Sequence, residues 1–311
     1  MSDWLTTPVP LLKRFRFATM GAPDLEVIED CYTRWLQYHV VERGTVDAEL
    51  ARSWGTPAAA GAASLVMAPQ NGGDVFLRVV QVPPVRDYVP LTTFGWTAIE
   101  IIVGDVAALA EALAGGPFRI LNGPAPLAFM PSIHAMQVLG PAQEVLYLTC
   151  ETGDRDNSLL PKPASIVDRP FIIVLGGPDF DAMHRWYVET FDLKQRPLRQ
   201  SRAQVIANAQ KLKPGETYPM TTVGLMDHGF LIEIDCYLHG PGRRTGPRPT
   251  PQGQLPSGPA SISCIVDDLS RFEPLAVGPI VRPAGIGYAG HRACTLRGAA
   301  GELVELVENR R

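Results

Sequence analysis

Gly298-Ala-Ala-Gly-Glu-Leu-Val-Glu-Leu-Val-Glu308 is a glycine-bearing turn that releases an apolar strand. Strand side chains alternate between two faces, so Glu305 shares a face with Leu303 and Val307. A carboxylate on an apolar face is costly unless it is paired, hydrogen-bonded or metal-bound. The same phrase, an apolar strand interrupted by a polar residue, recurs at Leu77-Arg78-Val79, Leu146-Tyr147-Leu148 and Ile232-Glu233-Ile234. The chain therefore reads as four copies of one module.

The spacing of the other elements supports this reading. A strand runs over Leu11 to Met20, and Asp24 is placed to cap a helix whose apolar residues are Leu25, Ile28, Tyr32, Trp35 and Leu36. A second short helix is predicted over 46–54, then a hairpin about Asn71-Gly-Gly. The next module has a strand at Trp96 to Val103, a helix from Asp105 and strands near 118–121, 133–139 and 145–150. Pro178-Asp179-Phe180 repeats Pro23-Asp24-Leu25 at an offset of about 155 residues, and Tyr187 then falls on Tyr32. Ile262 to Val266 with Asp267-Asp268-Leu269 repeats Ile99 to Val103 with Gly104-Asp105-Val106. Residues 152–167 read as a linker, and 240–259 as an exposed, mobile loop rich in Pro, Gly and Arg.

Composition narrows the function classes. The 311 residues are 46% hydrophobic and 19% charged with net charge -4, which fits a globular chain with ample core. No basic stripe supports a nucleic-acid partner, and no apolar run reaches the ~20 residues of a membrane span. The five scattered cysteines lack metal-ligand spacing and read as free thiols in a reducing cytoplasm. A small-molecule substrate is the expected partner; a homo-oligomer is compatible with this composition.

The βαβββ rhythm, the phrase Ile265-Val-Asp-Asp-Leu269 and the strand Gly301 to Glu308 resemble the vicinal oxygen chelate superfamily: glyoxalase I, bleomycin-resistance proteins and type I extradiol dioxygenases. The resemblance implies an α+β fold of four βαβββ modules paired into two half-barrel domains, 1–151 and 168–311, joined by the linker. In that family metal ligands come from the first and last strands of each module. The first-strand positions here are Phe17, Ala98, Ile172 and Ser261, without a histidine, and the last-strand positions are Arg78, Tyr147, Glu233 and Glu305. An iron site of two histidines and one carboxylate is thus disfavoured.

With modules taken in chain order, Arg78, Glu100, Tyr147 and His134 share the first cavity, and Glu233, Asp235, Glu305, Ser261, Ser263 and His291 the second. Arg78 is a fixed donor fork for an anionic oxygen, while Glu100, Tyr147 or His134 can move a proton. Three carboxylates together raise a pKa and offer proton transfer, or an oxygen-rich site for a hard cation through Glu233 and Glu305. The plainer reading is a buried Arg78–Glu100 pair that neutralises itself. The favoured function is a metal-independent lyase, isomerase or decarboxylase acting on a small oxygenated acid of a catabolic pathway, aromatic acids included, with no cofactor expected. The rivals are a metal-dependent glyoxalase or ring-cleaving dioxygenase, and a binding protein of the bleomycin-resistance kind.

Overall fold

A computed structural model describes residues 9–309. Module one holds β1 (Phe15–Ala22), α1 (Leu25–Leu36), β2 (His39–Thr45), α2 (Ala48–Ser53), β3 (Ala63–Ala68) and β4 (Phe76–Gln81). Module two holds β5 (Gly95–Val103), α3 (Val106–Leu113), β6 (Arg119–Leu127), β7 (Met130–Leu139) and β8 (Val145–Glu151). Module three holds β9 (Val167–Gly177), α4 (Phe180–Phe191), β10 (Lys194–Gln195), β11 (Arg199–Ser201), α5 (Gln204–Gln210), β12 (Tyr218–Gly224) and β13 (Leu231–Cys236). Module four holds β14 (Gly258–Val266), β15 (Ala293–Arg297) and β16 (Leu303–Glu308), with one 3-10 turn, Glu273–Leu275, where the other modules have a helix.

Asp24, Asp105 and Asp179 start α1, α3 and α4 by accepting backbone N–H bonds at the helix N-termini. These caps satisfy donors that have no partner inside the helix. Asp24 and Asp179 occupy the same place in modules one and three, as the repeat requires.

The modules do not pair in chain order. One sheet runs β15-β16-β14-β1-β4-β3-β2, joining module four to module one. The other runs β10-β12-β13-β9-β5-β8-β7-β6, with β11 beside β12, joining module three to module two. The seams are the antiparallel pairs β1·β14, with Ala18 opposite Ile262, and β5·β9, with Ala98 opposite Val174. The expected halves 1–151 and 168–311 are therefore crossed by both sheets. Alternation fixes which face of a strand is buried, but not which distant strand lies beside it.

One face of each sheet joins a single large core with the helices; Leu77, Ile99, Ile173, Ile232, Ile262 and Leu306 belong to it. Two buried hydrogen bonds tie modules across this core. The Tyr32 hydroxyl donates to Glu144 at 2.8 Å, and the Tyr187 hydroxyl to Glu302 at 2.9 Å. The opposite, concave faces form the two half-barrels. All five cysteines are free, and only Cys236 is not fully buried. No helix is long and apolar enough to cross a membrane among the described residues.

The segment 240–259 is not the exposed loop its composition suggests. Thr245, Leu255 and Ser257 are buried. The Arg248 guanidinium donates to the carbonyls of Trp96 and Pro259 and, at 3.1 Å, to the Thr93 hydroxyl. One arginine thus holds the segment against the start of β5.

Candidate active site

The half-barrel of modules one and four is filled. Arg78 on β4 and Glu305 on β16 meet at 2.9 Å, both almost wholly buried. Glu305 accepts from Arg78 and Ser263 on one oxygen, and from Trp54 Nε1 (2.8 Å) and the Tyr288 hydroxyl (2.7 Å) on the other. Arg78 also donates to Thr19 at 2.9 Å and to the Tyr288 oxygen. Its guanidinium lies 4.4 Å from the Phe17 ring centroid and 4.5 Å from that of Trp54. Burial alone pushes Glu305 up, but Arg78 and the hydrogen bonds outweigh it and hold the carboxyl below its ordinary value.

Local sequence explains how this half-barrel closes. The short helix α2 delivers Trp54 into the concave face. The loop before β15 delivers Tyr288, and it lies so close that a Cβ on Gly287 would meet the Phe17 ring at 1.9 Å. Phe17, Trp54, Val66, Phe76, Tyr288 and Leu303 pack round the ion pair as one apolar cluster. A buried charge pair whose carboxylate accepts four hydrogen bonds is a structural element.

The half-barrel of modules two and three differs. Glu100 on β5 stands beside Tyr147 on β8, and Glu233 on β13 beside Val174 on β9. Alternation puts Asp235 on the same face as Glu233. The apolar side chains here form two separate clusters, one about Tyr147, Val174, Tyr218 and Tyr237, the other about Ile102, Phe171, Ile172 and Leu231. A cavity of about 240 Å³ lies on this face, with Glu100 and Glu233 in its wall. Leu127, Met130, Ile133, Leu160, Ile172 and Met220 supply apolar lining, and Arg196 and Arg199 also border it.

No cation neutralises these acids. Burial, then the nearby Glu233 charge, pushes Glu100 up to about 8, partly offset by Thr149. Burial pushes Glu233 up to about 7. Asp235, wholly buried, is pushed up by burial and by Glu233, and neither of its oxygens has a hydrogen-bond partner. The Tyr147 hydroxyl also lacks a partner, and burial raises its pKa well above the ordinary value. Buried polar groups are rarely left in this state unless a ligand or water completes them.

Sequence alternation placed Arg78, Glu100, Tyr147, Glu233, Asp235, Ser263 and Glu305 on inward faces, and each is there. The groupings change with the sheet pairing. Arg78 leaves Glu100 and Tyr147 for Glu305 and Ser263, while Glu233 and Asp235 join Glu100 and Tyr147. Ser261 is buried on β14 two residues from Ser263, outside the hydrogen-bonded network. His134 pairs with Cys150 and shares its face with Met136 and Val138, which belong to the helix-side core, so it does not face the cavity. His291 sits half-buried in the turn before β15, and its backbone N–H binds the Tyr288 carbonyl. Trp54 and Tyr288 escape a strand-based reading, because a short helix and a glycine-rich loop carry them. The internal repeat was the available signal for Trp54, since α2 and α5 stand at matching places in modules one and three.

The residues at the metal positions implied by the resemblance do not make a donor set. Arg78, itself a cation, stands at one position of the first half-barrel. In the second, the first-strand positions expected at Ile172 and Ala98 lie two residues early: the register puts Val174 beside Glu233 and Glu100 beside Tyr147, so its oxygen donors are two carboxyls and one phenol without a histidine. Among the described residues no group of three or more His, Cys, Asp or Glu is arranged to hold a metal ion.

The architecture is that of the vicinal oxygen chelate fold in its four-module form. The glyoxalase I structure from Zea mays matches it with a TM-score of 0.59 at 16% identity, over 95% of this chain and 92% of that one. A putative dioxygenase from Bacillus subtilis subsp. subtilis str. 168 matches with a TM-score of 0.62 at 10% identity, over 97% of this chain and 87% of that one. At these identities the likeness is one of fold. No protein-family model matches the chain, and no curated relative matches it.

Proposed function

We propose that this chain is an enzyme of the vicinal oxygen chelate superfamily whose chemistry is proton transfer in the cavity of modules two and three. One observation carries the reading: Glu100 and Glu233 line a mostly apolar cavity, without a basic partner, at pKa values of about 8 and about 7. A general acid or base works best when its pKa lies near the working pH. Two carboxyl groups that repel each other in a mostly apolar cavity titrate as a pair, and the singly ionised pair holds an acid and a base together.

Glu233 takes a proton from carbon in this scheme, and the protonated Glu100 returns one at a neighbouring atom. The unpartnered Tyr147 hydroxyl donates to the oxygen on which charge develops. A neutral carboxylic acid and a tyrosine are effective donors to such an oxygen in a low-dielectric site. The reaction class is isomerisation or elimination next to a carbonyl group, and the substrate is a small, largely apolar, oxygenated molecule. Arg78 has no part in this chemistry, because it is used in the other half-barrel.

Incubating the protein with small carbonyl compounds in D₂O, read by proton NMR, tests the proposal. Enzyme-dependent deuterium uptake next to the carbonyl is expected. Glu233→Gln should slow it by about 10²-fold or more, the usual contribution of a positioned acid or base. Uptake at the wild-type rate in Glu100→Gln, Glu233→Gln and Tyr147→Phe alike would remove the chemistry from this cavity.

A further inference from the structure

The two half-barrels show how this fold treats a carboxylate on its concave face. In the first, Glu305 receives a guanidinium and three further donors. In the second, no guanidinium reaches the acids: Glu100 has only Thr149 to offset its burial, and both oxygens of Asp235 lack a partner. Charge-bearing groups left bare in an apolar setting call for a partner that arrives with the ligand.

Donor and acceptor needs point the same way. Asp235 is wholly buried with both oxygens free, and the Tyr147 oxygen beside Glu100 is free as well. These are sites that N–H groups can fill. Tyr147, Tyr218 and Tyr237 belong to one buried apolar cluster at this end of the half-barrel. The close approach of Tyr237 is built in, since a Cβ on Gly176, the strand partner of Asp235, would meet its ring at 2.5 Å. Aromatic faces attract cations. Arg196 and Arg199 on the same cavity are exposed, and Arg199 lies over the Phe129 ring at 4.4 Å. Their charge repels a cation from the outer rim and favours its seat among the acids.

We infer that the ligand of this cavity carries a protonated amine, seated against Glu100 and Glu233 with Asp235 behind them, on a body apolar enough to fill the remaining walls. The inference deepens the function proposed above and rests on the same cavity. An anionic head would face three acids, and a neutral head would leave the ionised ones uncompensated.

Glu100, Glu233 and Thr222 line the cavity itself, with Arg196 and Arg199 toward solvent, and the register puts Tyr147 and Thr149 of β8, Asp235 of β13 and Tyr218 of β12 on the same sheet face behind them. A bound cation favours the ionised carboxylates over the neutral acids. Amine binding near neutral pH should therefore release protons.

Isothermal titration calorimetry of the full chain tests this, with benzylamine, its neutral isostere benzyl alcohol, and benzoate, each in two buffers of different ionisation enthalpy. Benzylamine should bind tighter than benzyl alcohol by about thirtyfold or more, as expected for a desolvated charge pair. It should release about one proton per site. Asp235→Asn and Glu233→Gln should each weaken benzylamine by about tenfold or more and benzyl alcohol by much less, with circular dichroism confirming the fold. Equal or tighter binding of benzyl alcohol or benzoate, no benzylamine binding, or binding without proton release overturns the inference. The deuterium test keeps the two ideas apart. Amine binding without exchange sinks the chemistry alone, and exchange without amine preference sinks the amine alone.

Discussion

The two concave faces are built from equivalent strands, yet they treat charge in opposite ways. Register aligns Thr19 and Arg78 in the first half-barrel with Val174 and Glu233 in the second, and Ser263 and Glu305 with Glu100 and Tyr147. One set contains a cation and an anion, and it closes on itself with Trp54 and Tyr288. The other contains two acids, one phenol and a valine but no cation, and a cavity remains beside them. The same backbone positions therefore give a self-satisfied core in one case and an unsatisfied site in the other. The difference lies in the side chains at four positions and in what the loops insert.

Breaking the closed half-barrel should have the largest effect. Arg78→Met leaves Glu305 buried without its cation, and loss of one partner of a buried ion pair typically costs about 3–5 kcal/mol. Urea unfolding should show this as a lower midpoint with an unchanged slope. The double variant Arg78→Met with Glu305→Met should recover a large part of the loss, because no bare charge remains. A cost below about 1 kcal/mol for Arg78→Met would mean that the pair does not hold this half together. The pair also sets a pH limit. Glu305 is held below its ordinary value of 4.5, so its contribution is present above that value and is lost as pH falls through its lowered pKa.

How far the sequence reveals this contrast depends on the kind of information each part requires. The modules were legible because their closing strands repeat a local pattern, and local patterns survive in sequence. Inward facing was legible for Glu305, Glu233 and Arg78 because alternation has period two. The partner of Arg78 was not, because β1 and β14 pair across most of the chain length and leave no local trace. His134 shows a second limit. It lies on a strand in which alternation separates two faces, but β6 and β7 are joined through several register shifts, so position in the hairpin was a poor guide to facing. Trp54 and Tyr288 show a third, since insertions between strands follow neither period.

The open half-barrel should reveal itself through a stability change of opposite sign. Unfolded chain releases the Glu100 proton near its ordinary 4.5, whereas folded chain keeps it to about 8. Between those values the unfolded state binds fewer protons, so stability falls as pH rises, and the loss is complete above about 8. Glu100→Gln removes this penalty. At pH 9 the variant should be more stable than wild type by roughly 1–3 kcal/mol, and near pH 4 the two should be close. Glu144, raised to about 7, adds to the wild-type slope but is common to both proteins and cancels in the difference. Equal wild-type and variant stabilities across this range would place Glu100 in water and end its role as a tuned acid.

The smallest expected effect tests whether the two halves are alike away from their concave faces. Tyr32 and Tyr187 occupy matching helix positions, and each donates to a buried glutamate in the turn before a closing strand. Each glutamate also accepts one backbone N–H, from Ala142 in one case and Ala300 in the other. Tyr32→Phe and Tyr187→Phe each remove one donor and leave an oxygen short of a partner, which typically costs about 1–2 kcal/mol. Because the surroundings match, the two losses should agree within about 0.5 kcal/mol, and the double variant should lose their sum, since the sites are separate. Unequal losses would mean that the open cavity weakens the packing behind it. Tyr32 and Glu144 link module one, which holds the filled half-barrel, to module two, which borders the cavity, while Tyr187 and Glu302 make the converse link. A larger loss at either site would therefore show on which side of the shared core the cavity's unsatisfied charge is felt.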